Sequence, residues 1–208
     1  DLLLQKNFIK KNDEVLHQIA KISTIPMILG YVRSENKKLF NSAALCQKGE
    51  VRYIYDKILL PTYDVFDERR YFTSGAKPGI WSVIVSGKEY KIGIQICEDL
   101  WDSNYDIKVM KQQKKLGADF IINISASPYS KNRFKHRVDL IKNKIKDTQI
   151  PVFYCNLIGA QDELVFDGCS IAFDGRGDCI GQAKSFEEDI LLIDLNDEET
   201  SDLEYKPR

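Results

Sequence analysis

Residues 91–102 read KIGIQICEDLWD, an apolar run that ends in a cysteine with two carboxylates directly behind it. Side chains alternate along a strand, so Ile92, Ile94 and Ile96 face one way and Gly93, Gln95 and Cys97 the other. The alternation stops at Glu98. Cys97 is therefore expected at the C-terminal end of a strand, where a turn exposes its sulfur and gathers backbone N–H groups. Strand ends are where α/β proteins usually carry reacting groups. A thiolate beside Glu98 and Asp99 is electrostatically disfavoured, so a reactive Cys97 needs a positive partner from elsewhere.

Working outward, residues 2–22 place Phe8, Ile9, Val15, Leu16, Ile19 and Ile22 near helical spacing. After Pro26, PMILGYVR (26–33) predicts a strand. FNSAALCQKGEVRYIYDK (40–57) predicts a hairpin turning at Lys48-Gly49-Glu50. A long aromatic-rich loop, LLPTYDVFDERRYFTSGAKPG (59–79), follows, and loops of that length inside a domain are usually functional. IWSVIVSGKEYKIGIQIC (80–97) reads as two strands around Ser86-Gly87. A helix over 106–119, closed by Gly117, and a basic amphipathic helix over 133–149 flank the apolar strand FIINISAS (120–127). PVFYCNL (151–157), GCSIAFD (168–174) and DCIGQAK (178–184) read as further strands, the last two joined by the DGRGD turn, and DILLIDL (189–195) as the closing strand. Strands with interleaved helices and several hairpins predict an α/β (α+β) fold, with a mixed sheet covered by helices in a layered sandwich.

At 208 residues with 43% hydrophobic content, the chain suits one substantial domain with its own core. A net charge of −1 gives no electrostatic basis for nucleic acid or an anionic membrane as partner. No apolar run approaches the roughly 18 residues that a membrane-spanning helix needs. The five cysteines include no CxxC pair and the histidines number two, which argues against a zinc or other metal site. Such cysteine usage fits reduced thiols in a cytoplasmic protein.

A reactive thiol needs a base or a cation. His17 lies in the amphipathic first helix and His136 in a helix crowded with lysine and arginine, so a Cys-His dyad is disfavoured. Lys57, in YDKILLP, stands just past a strand end at the mouth of the long loop and is the better candidate. Cys46, Cys155, Cys169 and Cys179 read as structural thiols.

Three segments in order, YDKILLPTYDVFDERRYFTSG, GIQICEDLW and NISASPYSKNR, resemble the carbon–nitrogen hydrolase, or nitrilase, superfamily. Within it they are most similar to the glutaminase domains of glutamine-dependent NAD+ synthetases. That family carries K-x-x-L-P-N-Y-x-V-F-D-E-x-R-Y-F, then I-C-E-D-x-W, then S-A-S-P-[YF], and the likeness runs over most of the chain. It implies a four-layer αββα sandwich, with residues 1–195 as the glutaminase domain, truncated at its N-terminus. Residues 196–208 would be a linker toward a C-terminal synthetase domain.

The resemblance implies a Cys-Lys-Glu triad in which Cys97 attacks the side-chain amide of L-glutamine and Lys57 stabilises the oxyanion. The family's general-base glutamate lies in a segment like F-P-E-L-x-L-T-G-Y-P-P-E, upstream of this chain, so these residues alone are expected to turn over little substrate. Glu68 corresponds to a second acid that orients the lysine. By the same likeness Tyr63, Phe66 and Trp101 line or close the glutamine pocket, Glu98 holds the substrate's amino end, and Ser127 and Arg133 bind its α-amino and carboxylate groups. The sequence departs from the family at Thr62, where Asn is frequent, and at Asn132-Arg133, where Gly-Lys is frequent.

No cofactor is implied for this domain. ATP and Mg2+ belong to the synthetase domain, whose S-G-G-x-D-S loop is not in these residues, and the family implies a homo-oligomer. Two alternatives stand beside this reading: a free-standing amidase or carbamoylase of the same superfamily, and a catalytically inactive assembly module.

Overall fold

The computed structural model describes residues 2–85 and 87–195. A short 3-10 turn at Leu2–Leu4 leads into α1 (Lys6–Ile22), and an antiparallel meander follows: β1 (Met27–Glu35), β2 (Lys38–Gln47) and β3 (Glu50–Asp56). The two links are tight. Asn36-Lys37 has φ of 50° and 63°, and Lys48-Gly49 has 54° and 82°, the left-handed pair whose twist suits a two-residue hairpin.

The run Ala43–Cys46 is buried on both faces, and alternation explains how. Ala44 and Cys46 pack with Tyr31 against Leu16 and Ala20 of α1, while Ala43 and Leu45 face a second sheet. That sheet starts with β4 (Ile80–Val85) and β5 (Lys88–Ile96), continues through β6 (Phe120–Ser125) and β7 (Val152–Asn156), and then pauses for a separate hairpin, β8 (Ile158–Gln161) with β9 (Leu164–Asp167). It resumes with β10 (Ile171–Phe173) and β11 (Cys179–Gln182), giving the order β11-β10-β7-β6-β5-β4. β5, β6 and β7 run parallel, connected over one face by α2 (Val109–Lys115) and α3 (Arg133–Thr148). The outer pairs are antiparallel.

The sheets meet through Ile92, Ile94 and Ile96 of β5 against Ala43, Leu45 and Tyr55. On the other face Ile121, Val152, Tyr154, Ile171 and Phe173 pack under Met110, Val138, Ile141 and Ile145 of α2 and α3. Each wholly buried Ile or Leu contributes about 1.5–3 kcal/mol. The layers are thus α1, meander, mixed sheet and α2 with α3: the expected four-layer αββα sandwich. The alternation read along residues 91–97 holds as far as Ile96; Cys97, past the strand in a 3-10 turn, departs from it and packs against the same inter-sheet cluster as the isoleucines. Opposite the isoleucines, Gln95 donates to Gln113 of α2 at 2.8 Å, and Gly93 is needed because a Cβ there would sit 2.5 Å from the Ile121 side chain.

Four details differ from the sequence expectation. Residues 189–195 form no strand; Leu191 and Ile193 lie over Gly181 of β11 while Ile190 and Leu192 point outward, so the period-2 pattern is real but no ladder forms. The β8–β9 hairpin was not expected, because IGAQDELVFD lacks the Asn-Gly type of signal. In α1 the buried stripe is Leu16 and Ala20, whereas Val15 and Ile22 are exposed. Cys155 is exposed as well, not a buried structural thiol, although all five cysteines are free. The expected linker at 196–208 lies outside the described residues. Among the described residues no helix is long and apolar enough to cross a membrane.

Candidate active site

Cys97 follows β5 directly and opens a 3-10 turn, Cys97–Leu100, with φ of +42°. A non-glycine residue in that region is strained by about 1–3 kcal/mol and persists only where its surroundings hold it. The holding group is Asp99. It is wholly buried, and its Oδ2 accepts the Ile96 N–H at 3.0 Å and the Tyr55 hydroxyl at 2.9 Å. Its Oδ1 accepts the N–H groups of Ile58 and Leu59 at 3.1 and 2.9 Å. Burial pushes the Asp99 carboxyl up to about 6, against the pull of these donors and of Lys57.

Lys57 is the first residue after β3, so the meander supplies it, whereas the mixed sheet supplies Cys97. It is 1% exposed and its ammonium pairs with Glu68, which also accepts from Asn41 Nδ2 at 3.2 Å. Behind it, Asp56 is neutralised by a two-pronged Arg33 contact at 2.9 and 2.5 Å and by Ser42 at 2.6 Å. Lys57, Glu68, Asn41, Phe66 and Cys97 line one cleft of about 490 Å³, together with Gly30, Ile96, Ile124, Ser125, Ala126, Leu157 and Phe166. That size suits a small molecule. Burial raises the Cys97 thiol; Lys57 and a hydrogen bond from Ser125 pull it back, and the carboxylates of Glu68 and Glu98 push it further up. The cation required by the sequence thus lies in the same cleft as the sulfur.

The remaining expected residues fall into two groups. Glu98 is 4% exposed and both its oxygens are engaged, Oε2 by the Tyr63 hydroxyl at 2.8 Å and Oε1 by the Tyr105 hydroxyl at 3.0 Å. Burial raises its carboxyl and those hydroxyls draw it down. Tyr63 meets Phe66 edge-on at 6.0 Å, so the long loop is latched over the turn that carries Glu98. On the helix side, Trp101 packs against the core beneath α3, with the Arg133 guanidinium 5.6 Å from its ring centroid. Buried Ser127 donates its N–H to Asn156 Oδ1 at 2.9 Å. None of Tyr63, Glu98, Trp101, Ser127 and Arg133, expected as substrate-binding residues, is among the residues that line the cleft.

Sequence reasoning passed over Asp99, Asn41, Ser125 and Tyr105. Asp99 sat inside the quoted stretch, but its burial and its four donors come from segments up to 44 residues away. Among the described residues no group of three or more His, Cys, Asp or Glu side chains could hold a metal ion.

The carbon-nitrogen hydrolase family model matches residues 13–205. The chain belongs to the carbon–nitrogen hydrolase family. This hydrolase chain is 38% identical over 209 residues to the glutamine-dependent NAD(+) synthetase of Synechocystis sp., covering 93% of the chain and 37% of that protein. Identity to the same-named protein of Aquifex aeolicus is 39% over 201 residues, covering 94% and 34%. The chain therefore spans about a third of the length of these relatives. Among solved structures, the glutamine-dependent NAD+ synthetase of Acinetobacter baumannii in complex with ADP superposes with a TM-score of 0.82 at 34% identity, over 92% of the hydrolase chain and 35% of that one. A mutant of the Nesterenkonia AN1 amidase, of the nitrilase superfamily, gives 0.79 at 21% identity over 94% and 71%, a likeness of fold.

Proposed function

We propose that this chain is the glutaminase part of a glutamine-hydrolysing NAD+ synthetase. The observation that carries the reading is one cleft holding a thiol on a strained turn, a buried lysine and that lysine's carboxylate partner. Together with a general base, those are the parts needed for amide hydrolysis through a thioester.

In the proposed reaction the Cys97 sulfur attacks the side-chain amide carbon of L-glutamine. The C–N bond breaks, ammonia leaves, and a γ-glutamyl thioester remains on Cys97. Water then attacks the thioester carbon, releasing glutamate and restoring the thiol. Lys57 stands where it can face the developing oxyanion, and electrostatic stabilisation of this kind is often the largest single contribution to such catalysis. Glu68 holds that ammonium in place, and Asn41 in turn holds Glu68. The thiol proton reaches the leaving nitrogen through a carboxylate base, for which the family pattern points to a glutamate upstream of Leu2.

The ammonia would serve ATP-dependent amidation of deamido-NAD+ in a synthetase domain of the same polypeptide, which would bind ATP and Mg2+. The whole protein would be a cytoplasmic homo-oligomer. The similarity to NAD(+) synthetases supports this reading over that of a free-standing amidase.

The test is glutamine-dependent ammonia release by the intact protein. Cys97→Ala is expected to abolish release and to block labelling by a glutamine-mimicking electrophile. Full activity in Cys97→Ala would remove the proposal, and undiminished labelling would move the nucleophile to another thiol.

A further inference from the structure

We infer that Asp99 is the positioning residue that sets Lys57 against Cys97 across the boundary between the two sheets. The inference rests on the proposed thioester chemistry only for its kinetic readout.

The two reacting groups come from different layers, Lys57 from the end of β3 and Cys97 from the end of β5, 40 positions apart in the sequence. What packs between the layers is mainly aliphatic: Ala43 and Leu45 against Ile92, Ile94 and Ile96. Such contacts are non-directional. They hold the sheets together without fixing the offset of one strand end from the other to a fraction of an ångström. Hydrogen bonds do have direction, and Asp99 supplies four of them at this boundary.

One oxygen takes the N–H groups of Ile58 and Leu59, the two residues after Lys57. The other takes the N–H of Ile96, the residue before Cys97, and the hydroxyl of Tyr55, two residues before Lys57. A single carboxylate thus grips the backbone on the far side of the lysine, a side chain on its near side, and the strand end that presents the thiol. It is 0% exposed, so it touches no substrate. Its position three residues beyond Ile96 also closes the turn that holds Cys97 at positive φ.

Asparagine at 99 cannot reproduce this. Its one carbonyl oxygen can serve Ile58 and Leu59, and its amide can donate to a reversed Tyr55 hydroxyl, but the Ile96 N–H then faces a donor. The turn comes untied from the lysine segment while the side-chain volume stays the same. The charged and titratable groups around the sulfur are Lys57, Glu68, Glu98, Tyr63 of the long loop and, from β7, Tyr154. Of these Lys57 is the cation, so its displacement disfavours the thiolate.

The experiment compares Asp99→Asn, Tyr55→Phe and Asp102→Asn in the intact protein. It measures kcat and KM for glutamine hydrolysis, and the pH midpoint for alkylation of Cys97 by iodoacetamide. Asp102 is the control: it is equally buried in the same region, but its partner is Lys144 on α3 and it bonds nothing in residues 55–59. Asp99→Asn is expected to lower kcat about 100-fold with KM nearly unchanged, as an ångström of misplacement does. It should also move the alkylation midpoint to higher pH. Tyr55→Phe should move both in the same direction by less, and it decides the matter if Asp99→Asn does not fold. Asp102→Asn should lose stability and leave kcat and midpoint in place.

Wild-type kcat and midpoint in folded Asp99→Asn overturn the inference, as does an equal effect in Asp102→Asn. If the wild-type protein releases no ammonia from glutamine, the proposed function fails, while the alkylation midpoints still decide the role of Asp99.

Discussion

Cys97 carries an electrostatic contradiction: its neighbours in the chain are acids, and burial itself opposes the thiolate. Lys57 is the cation that draws its pKa back down, so the direction of change on removing it follows. Lys57→Ala deletes the group that favours the charged form and leaves Glu68 unpaired in the cleft. Both effects raise the thiol pKa, and the pH profile of alkylation should shift to the alkaline side, read as a lower labelling rate at neutral pH. Turnover should fall by about 100–1,000-fold, the usual loss when one oxyanion partner is removed. At this scale the sequence was informative where chemistry is compact. KIGIQIC announced the nucleophile through the strand end that it marks, although alternation put Cys97 on the wrong face, and the position of Lys57 past a strand end announced its partner. Asp99 and Asn41 gave no such signal, because their roles depend on which distant backbone groups the fold brings to them.

Among the elements, the loop between β6 and α3 is held from below by one buried cluster. Asn156 takes the Ser127 N–H and donates to the Gly168 carbonyl at 3.0 Å, while Arg137 of α3 pairs with Asp167 at 2.5 Å. Arg137 and Asp167 are both nearly inaccessible, so Arg137→Met strands a buried carboxylate. A loss of about 3–5 kcal/mol is expected in denaturant titration. The DGRGD turn between β10 and β11 offers a milder case. Burial would raise the Asp174 carboxyl, but the N–H groups of Asp178 and Arg176 and the Arg176 side chain outweigh it and bring it below the usual range. A depressed folded pKa stabilises the protein at pH values above the unfolded pKa, and that contribution is lost as pH falls through the folded one. Asp174→Ala should therefore cost about 1 kcal/mol at neutral pH, as a lost cap does, and progressively less below about pH 4, the unfolded carboxyl range, seen by comparing melting curves at the two pH values. Hairpins with strong turn residues were legible in the sequence. β8 and β9 were not, because a short exposed hairpin carries little periodicity. Residues 189–195 show the opposite error, since strand-like alternation can mean an extended segment resting on a sheet edge.

For the whole molecule, stability centres on the contact between the two sheets. Ile94 is wholly buried there, and Ile94→Ala is expected to cost about 2–5 kcal/mol in denaturant titration, through lost burial and the cavity left behind. A layered α/β sandwich was readable from the order of elements and from runs such as FIINI, which demand cover on both faces, whereas its four-layer αββα form was implied by the family resemblance. Which face of α1 is buried was less readable, because Ala20 has no strong pattern of its own and the apolar Ile22 faces outward.

The long loop between β3 and β4 has one further consequence. Gly75 N–H donates to the Lys57 carbonyl at 2.8 Å, Ser74 Oγ donates to the Ile58 carbonyl, and a Cβ on Gly75 would come within 2.1 Å of the Asp56 carbonyl oxygen. The segment from 57 to 75 is therefore pinched shut at its root, and it is tied down again where the Tyr63 hydroxyl meets Glu98 and where the Thr73 N–H donates to the Leu39 carbonyl at 2.8 Å. Because the entropy of closing such a loop grows only slowly with its length, the tip between Pro61 and Glu68, itself closed by the Glu68 N–H on the Pro61 carbonyl at 3.1 Å, can change length or composition while the root and Glu68 stay fixed. Lys57 belongs to the root and Tyr63 and Phe66 to the tip. Natural variation can thus redraw what enters the cleft, as an exchangeable cassette, while the cation beside the thiol stays where it is.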